Sequence, residues 1–161
     1  MKIIWKLWSG EAVINRSTSH IHDGISFDII QEALWKIQSE DERYIDQTIY
    51  FDRSIGQSLR IATTDEDEIV FAKRKNRRWL SRFVKNKAPL DYNGLTLVLL
   101  KDKYHSNQYV LMTAYIGDKA PPEPRDNDVF DRIENGDLLK EQALEFWSKQ
   151  ALLRGYFELD N

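Results

Sequence analysis

Cysteine is missing from this 161-residue chain. Its absence excludes disulfides, thiolate metal sites and cysteine nucleophiles. No apolar run approaches the ~20 residues that a membrane-spanning helix requires. The opening stretch MKIIWKLWSGEAV is interrupted at Lys6, too early for the apolar core of a signal peptide. P-loop, GxGxxG, HExxH, zinc-finger and EF-hand spacings are all missing, which removes most nucleotide-binding and metalloenzyme readings. Proline is scarce, and three of the four prolines (Pro121, Pro122 and Pro124) sit in one segment, which should therefore be an extended loop. These absences make an intracellular, cytoplasmic protein the default expectation. A secreted effector, or a domain cut from a longer chain, would have the same composition.

Hydrophobic residues make up 42% of the chain and aromatics 12%, enough for an ordered core. The length suits a single domain, 1–161. Charge is unevenly placed. Lys73 to Lys87, KRKNRRWLSRFVKNK, holds eight cations and no anion, leaving 15 basic against 26 acidic residues elsewhere. Such a patch attracts a polyanion without making the whole molecule adhesive, and Lys and Arg contacts to phosphate dominate nucleic-acid affinity. The competing reading is a solvated charged face. Trp79, Leu80, Phe83 and Val84 recur at helical spacing after a candidate cap at Asn76, which predicts a basic helix ending near Asn86. Arg78, Ser81, Arg82 and Lys85 would share its exposed face.

Along the rest of the chain, Lys2–Leu7 and Ala12–Ile14 read as short strands. Ile29, Ile30, Ala33, Leu34 and Ile37 predict a helix capped by Ser26. Thr48–Phe51 is β-like. Ser58–Thr63 and Glu68–Ala72 read as strands joined by the acidic turn at 64–67. Leu95–Leu100 lacks alternation and so reads as a strand covered on both faces, partnered by Tyr109–Ile116. A last helix is expected from about Asp137 to Leu152, ending before Gly155. The fold class is α+β: an N-terminal helix region, then a mostly antiparallel sheet with the basic helix, and a closing C-terminal helix.

Few residues offer chemistry. Simple alternation in YVLMTAYI puts Tyr109, Leu111, Thr113 and Tyr115 on one face, and Val110, Met112, Ala114 and Ile116 on an apolar one. Hydroxyls lining a cleft bind phosphate oxygens, although Thr and Tyr are also ordinary strand residues. His20 and His22 lie two apart in a polar segment, and histidine is the usual general acid or base near neutral pH. Two solvated loop histidines would look the same. No third ligand stands near them in sequence, so no metal site is expected. His105 reads as a solvated turn residue. The acidic run at 65–68 contains carboxylates that a Mg²⁺-dependent nuclease would use, but it reads better as a solvated turn.

The tracts FAKRKNRRWLSRFVKN, LTLVLLKD and YVLMTAYIG resemble the second half of bacterial RNase toxins of the barnase–EndoU–colicin–RelE superfamily. SHIHDGISFDIIQEAL is similar to the histidine-plus-helix opening of some members. The likeness covers roughly residues 20–118 and leaves the tail from Pro121 unexplained. It implies metal-independent cleavage of RNA by attack of the ribose 2′-hydroxyl, with no cofactor. The residues it assigns to catalysis are His20 or His22 as acid or base, Arg74 stabilising developing charge, and Thr113 and Tyr115 orienting or protonating. Lys73, Arg77, Arg78, Ser81, Arg82 and Lys85 would bind nucleic acid. A cognate immunity or antitoxin protein would be the natural partner. The alternatives are a non-catalytic member of the fold that binds nucleic acid or protein, and an immunity- or antitoxin-like protein whose net acidity suits a basic toxin.

Overall fold

The computed structural model describes residues 4–7, 10–14, 19–22, 24–37, 42–105, 107–132 and 135–159. It is an α+β protein dominated by sheet. The chain divides into two compact units. The first holds residues 1–58 and 91–119, and the second 59–90 and 120–161. No helix among the described residues is long and apolar enough to cross a membrane.

The first unit is built on one mixed sheet. Its central path runs β1 (Ile4–Lys6), β2 (Glu11–Val13), β11 (Gln108–Ile116), β10 (Gly94–Lys101), β4 (Tyr44–Tyr50). β3 (His20–Ile21) lies along the same edge of β11 as β2, and both pair with it in parallel. Two short strands can share that edge because β11 is nine residues long. β10 is antiparallel to both its neighbours. Leu95, Leu97, Leu99 and Thr96 are all fully buried, so β10 is covered on both faces as its unbroken apolar run implies. A short ribbon joins β5 (Gly56–Ser58) to β9 (Leu90–Tyr92).

Helix α1 (Phe27–Trp35) closes one face of this sheet. Its N-terminus is fixed by Ser26, whose Oγ accepts the Ile29 N–H at 3.1 Å. Ile30, Ala33 and Leu34 form a single apolar stripe against Leu95, Leu97, Leu99, Ile45 and Ile49. The same helix seals the edge strand β1: Gln31 Oε1 accepts the Lys6 N–H and Gln31 Nε2 donates to the Lys6 carbonyl, both at 2.8 Å.

The second unit has a four-stranded sheet in the order β6 (Arg60–Ala62), β12 (Gln150–Leu153), β8 (Leu80–Val84), β7 (Ile69–Lys73). One face packs on α2 (Asn127–Asp131) and α3 (Gly136–Ser148) through Phe83, Phe130, Ala143, Trp147 and Leu152. The other buries Val84, Ala151 and Leu153 with Leu59, Ile61 and Ile69 around them.

Here the expected basic helix is overturned: residues 80–84 are the strand β8. Asn76 adopts φ 66°, a left-handed turn rather than a helix cap, and Asn86 at φ 59° turns the chain out at the far end. Between them, LSRFV pairs antiparallel with β7 and parallel with β12. The sequence LSRFV fits either period, and the ladder bonds from two distant segments decide it. Phe83 and Val84 consequently bury on opposite faces, Leu80 is exposed, and Ser81 is buried at 1% exposure. Arg78, Ser81, Arg82 and Lys85 therefore share no helix face. The strands on either side of the acidic turn also exist, and Asp67 closes that turn by accepting the Thr64 N–H at 2.8 Å. They are not a hairpin, since β6 and β7 occupy opposite edges of the sheet.

Candidate functional site

Simple alternation fails along β11. The β10–β11 register shifts between Val98 and Leu99: Val98 faces Thr113, while Leu99 faces Leu111. Met112 has no opposite residue, so β11 carries a β-bulge there. Before the bulge, Tyr109 and Leu111 enter the core, and Tyr109 is only 1% exposed, its hydroxyl donating to the Glu42 carbonyl at 3.2 Å. After it, Ala114 and Ile116 take the core side. Thr113 and Tyr115 thus face away from α1, and the expected grouping of Tyr109 and Leu111 with them is corrected.

On that outer face the register builds two rows. Asp46, Val98, Thr113 and His20 lie side by side, since Val98 opposes both Asp46 and Thr113, and His20 opposes Thr113. Thr48, Thr96 and Tyr115 form the next row. His22 extends it, donating its backbone N–H to the Ala114 carbonyl at 3.1 Å with its ring 5.8 Å from that of Tyr115. Ile21, between the histidines, packs on the core. Both histidines are exposed, and Thr113 and Tyr115 are half-buried.

Around these rows stands a set of polar groups that the sequence reading did not single out. Asp46 pairs with Lys119 at 3.7 Å through Oδ2, while its Oδ1 is buried and accepts no hydrogen bond among the described residues. Burial pushes the Asp46 carboxyl above its ordinary value, with Lys119 opposing. Burial also raises the Tyr44 phenol, and the charges of Asp46 and Tyr115 add to it. Thr96 Oγ1 donates to the Gly117 carbonyl at 2.8 Å. Its one proton is thereby used, so in the 2.8 Å contact between the hydroxyls Thr48 is the donor, and Thr48 in turn accepts the Lys119 N–H at 2.9 Å. Further along, Tyr50 and Tyr92 both donate to Asp118 Oδ1 at 2.5 Å. The bond to Asp118 raises the Tyr50 phenol first, then burial; for Tyr92 burial leads and the Asp118 bond follows. The missed signal was present in YIDQTIY, where Tyr44, Asp46, Thr48 and Tyr50 alternate with Ile45 and Ile49.

The basic tract belongs to the second unit. Arg74 is held within it: Nη2 donates to Glu123 Oε2 at 2.7 Å and Nε to Ser81 Oγ at 3.2 Å. Trp79 Nε1 donates to the same Glu123 oxygen at 2.6 Å. Arg82 Nη1 donates to Thr63 Oγ1 at 2.9 Å and the Gln150 carbonyl at 2.8 Å, tying β8 to its neighbours. Lys85 pairs with Glu68 at 3.3 Å, and Arg77 lies over the Trp79 ring. Lys73 is exposed, and Arg78 is 89% exposed with only a 3.7 Å contact to Asp128. The sheet of the first unit thus brings His20, His22, Thr113 and Tyr115 together, and the predicted cations lie on the other unit. No group of three or more His, Asp or Glu among the described residues is arranged to hold a metal ion. No protein-family model, curated protein or solved structure matches this chain.

Proposed function

We propose that the outer sheet face of the first unit cleaves RNA without a metal, by attack of the ribose 2′-hydroxyl on the adjacent phosphorus. The observation that supports this reading is the pairing of β3 with β11, which sets His20 beside Thr113 and His22 beside Tyr115. One imidazole takes the 2′-hydroxyl proton as the O2′–P bond forms. The other gives a proton to the 5′-oxygen as the P–O5′ bond breaks, leaving a 2′,3′-cyclic phosphate. The Thr113 and Tyr115 hydroxyls donate to the non-bridging oxygens, where charge builds in the phosphorane. Lys119, held by Asp46 and Thr48, replaces Arg74 as the nearby cation. Taken by itself, the second unit offers Arg78 and Lys73 as exposed cations able to bind RNA phosphates on its own surface. The arrangement of helix and antiparallel strands belongs in this reading to the toxin-like superfamily, with an antitoxin or immunity protein as the regulating partner.

The test is incubation of purified protein with RNA in EDTA. Cyclic-phosphate ends should form, DNA should resist, and replacing His20 and His22 by Ala should cost about 10²–10⁴ in rate. A requirement for added Mg²⁺, or equal cutting of DNA, overturns the mechanism. Salt-sensitive RNA binding without cleavage would assign the protein to the non-catalytic binding class.

A further inference from the structure

The second unit contains a cleft that plays no part in the RNA reading. It has a volume of about 290 Å³, the small end of the range for ligand pockets. Its walls are Phe71, Leu80, Leu144 and Trp147. Phe71, Leu80 and Leu144 are among the exposed large apolar side chains of the molecule, so a substantial share of uncovered apolar surface gathers at one place.

Three charged groups meet those walls. Arg82 and Arg125 both line the cleft. Arg82 spends only Nη1, on Thr63 and the Gln150 carbonyl, and has no carboxylate partner among the described residues. Arg125 lies 4.2 Å over the Phe71 ring and likewise has no carboxylate partner among them. The third group is Glu123, 9% exposed. Its Oε2 accepts from Arg74 and Trp79, while its buried Oε1 accepts nothing among the described residues. A buried acceptor without a donor is costly, so a ligand whose entry turns this carboxylate oxygen into the cleft and offers it an N–H recovers what the fold forgoes.

Charge decides what kind of N–H. Arg74 already balances Glu123, so a cationic donor would add a third uncompensated positive charge beside Arg82 and Arg125. The site asks for one anion, one neutral N–H and one apolar body, in a space of single-residue size. We propose that this cleft binds the carboxyl-terminal residue of a peptide whose last side chain is apolar. The terminal carboxylate meets Arg82 and Arg125, the last amide N–H meets Glu123 Oε1, and the side chain lies against Leu80, Leu144 and Trp147.

The test is calorimetric titration of the intact protein with acetyl-Gly-Phe, with its carboxyl-terminal amide, with free phenylalanine and with a nucleoside 5′-monophosphate. The acetylated acid should bind at the Trp147 indole, followed by its NMR shift. Amidation should weaken binding at least about tenfold, since hydrogen bonds to charged groups are the stronger kind. Arg125→Gln and Leu144→Asp change exposed side chains, so both variants should fold, and each should weaken binding several-fold. Equal binding of acid and amide, or no binding of the acid by folded protein, overturns the proposal. Tighter binding of free phenylalanine would make the site one for a zwitterionic amino acid. Tighter binding of the nucleotide would make it a phosphate site. Either result replaces the peptide end.

Discussion

Thr96 and Asp46 show how much of this molecule depends on single polar atoms shut away from water. Thr96 is fully buried, and its hydroxyl both donates to Gly117 and accepts from Thr48. Thr96→Val keeps the shape but leaves a carbonyl and a hydroxyl unpaired, which should cost about 1–3 kcal/mol in urea unfolding. A loss within experimental error would mean that water replaces the bonds. Asp46 acts in the opposite sense. Its folded-state pKa is raised by burial above the ordinary 3.8, so the folded state holds its proton more tightly than the unfolded chain does. The stability it contributes is complete below the ordinary value and is lost as pH rises through the folded value. Asp46→Asn should therefore gain stability relative to the parent as pH rises from about 4 toward 7. Unfolding midpoints at the two ends of that range check this; a variant that falls further behind the parent at pH 7 would mean that the Lys119 pair outweighs burial.

Elements differ in how far their own residues decide them. Helix α1 was legible because its cap and apolar stripe are local, and β10 because an unbroken apolar run of strand length needs cover on both faces. Strand β8 was not. Leu80, Phe83 and Val84 satisfy a helical spacing, and what overrides it is pairing with β7 and β12, the latter some seventy positions away at Gln150–Leu153. The two histidines could be singled out, but not their place beside Thr113, because a parallel edge pairing leaves no mark on a two-residue strand. The bulge at Met112 is the same kind of fact. It exists because the core takes Tyr109 and Leu111 on one side of it and Ala114 and Ile116 on the other. Deleting Met112 would restore plain alternation with Tyr109, Leu111, Ala114 and Ile116 still on the core side and Thr113 and Tyr115 still outside, so it removes the bulge without exchanging the faces. The deletion should therefore stay below the roughly 4 kcal/mol that marks major disruption, in the same range as Met112→Ala. An unfolding midpoint far lower for the deletion than for Met112→Ala would show that the sheet depends on the bend the bulge gives it.

At the scale of the molecule, each unit has its own buried clusters, yet neither is a continuous stretch of chain. The backbone passes from one to the other after Ser58, Leu90 and Lys119. Leu97→Ala in the first unit should cost about 2–5 kcal/mol, and Phe83→Ala in the second about 3–5 kcal/mol. Native-state hydrogen exchange should show each variant losing protection mainly in the strands of its own unit. Uniform acceleration across all strands in both variants would mean that the separate clusters unfold as one.

The edge of β11 also sets a timetable. Ser19 donates its hydroxyl to the Leu111 carbonyl across 92 positions, and the histidines find their register only on the neighbouring residues of that strand. A ribosome adding about 5–20 residues each second needs roughly five to twenty seconds to go from His20 to Ile116. Throughout that interval the histidines exist without the strand that aligns them, and closing so long a loop is paid for in entropy before any pairing returns it. A nascent chain, or one terminated ahead of Gln108, carries both imidazoles and no assembled face.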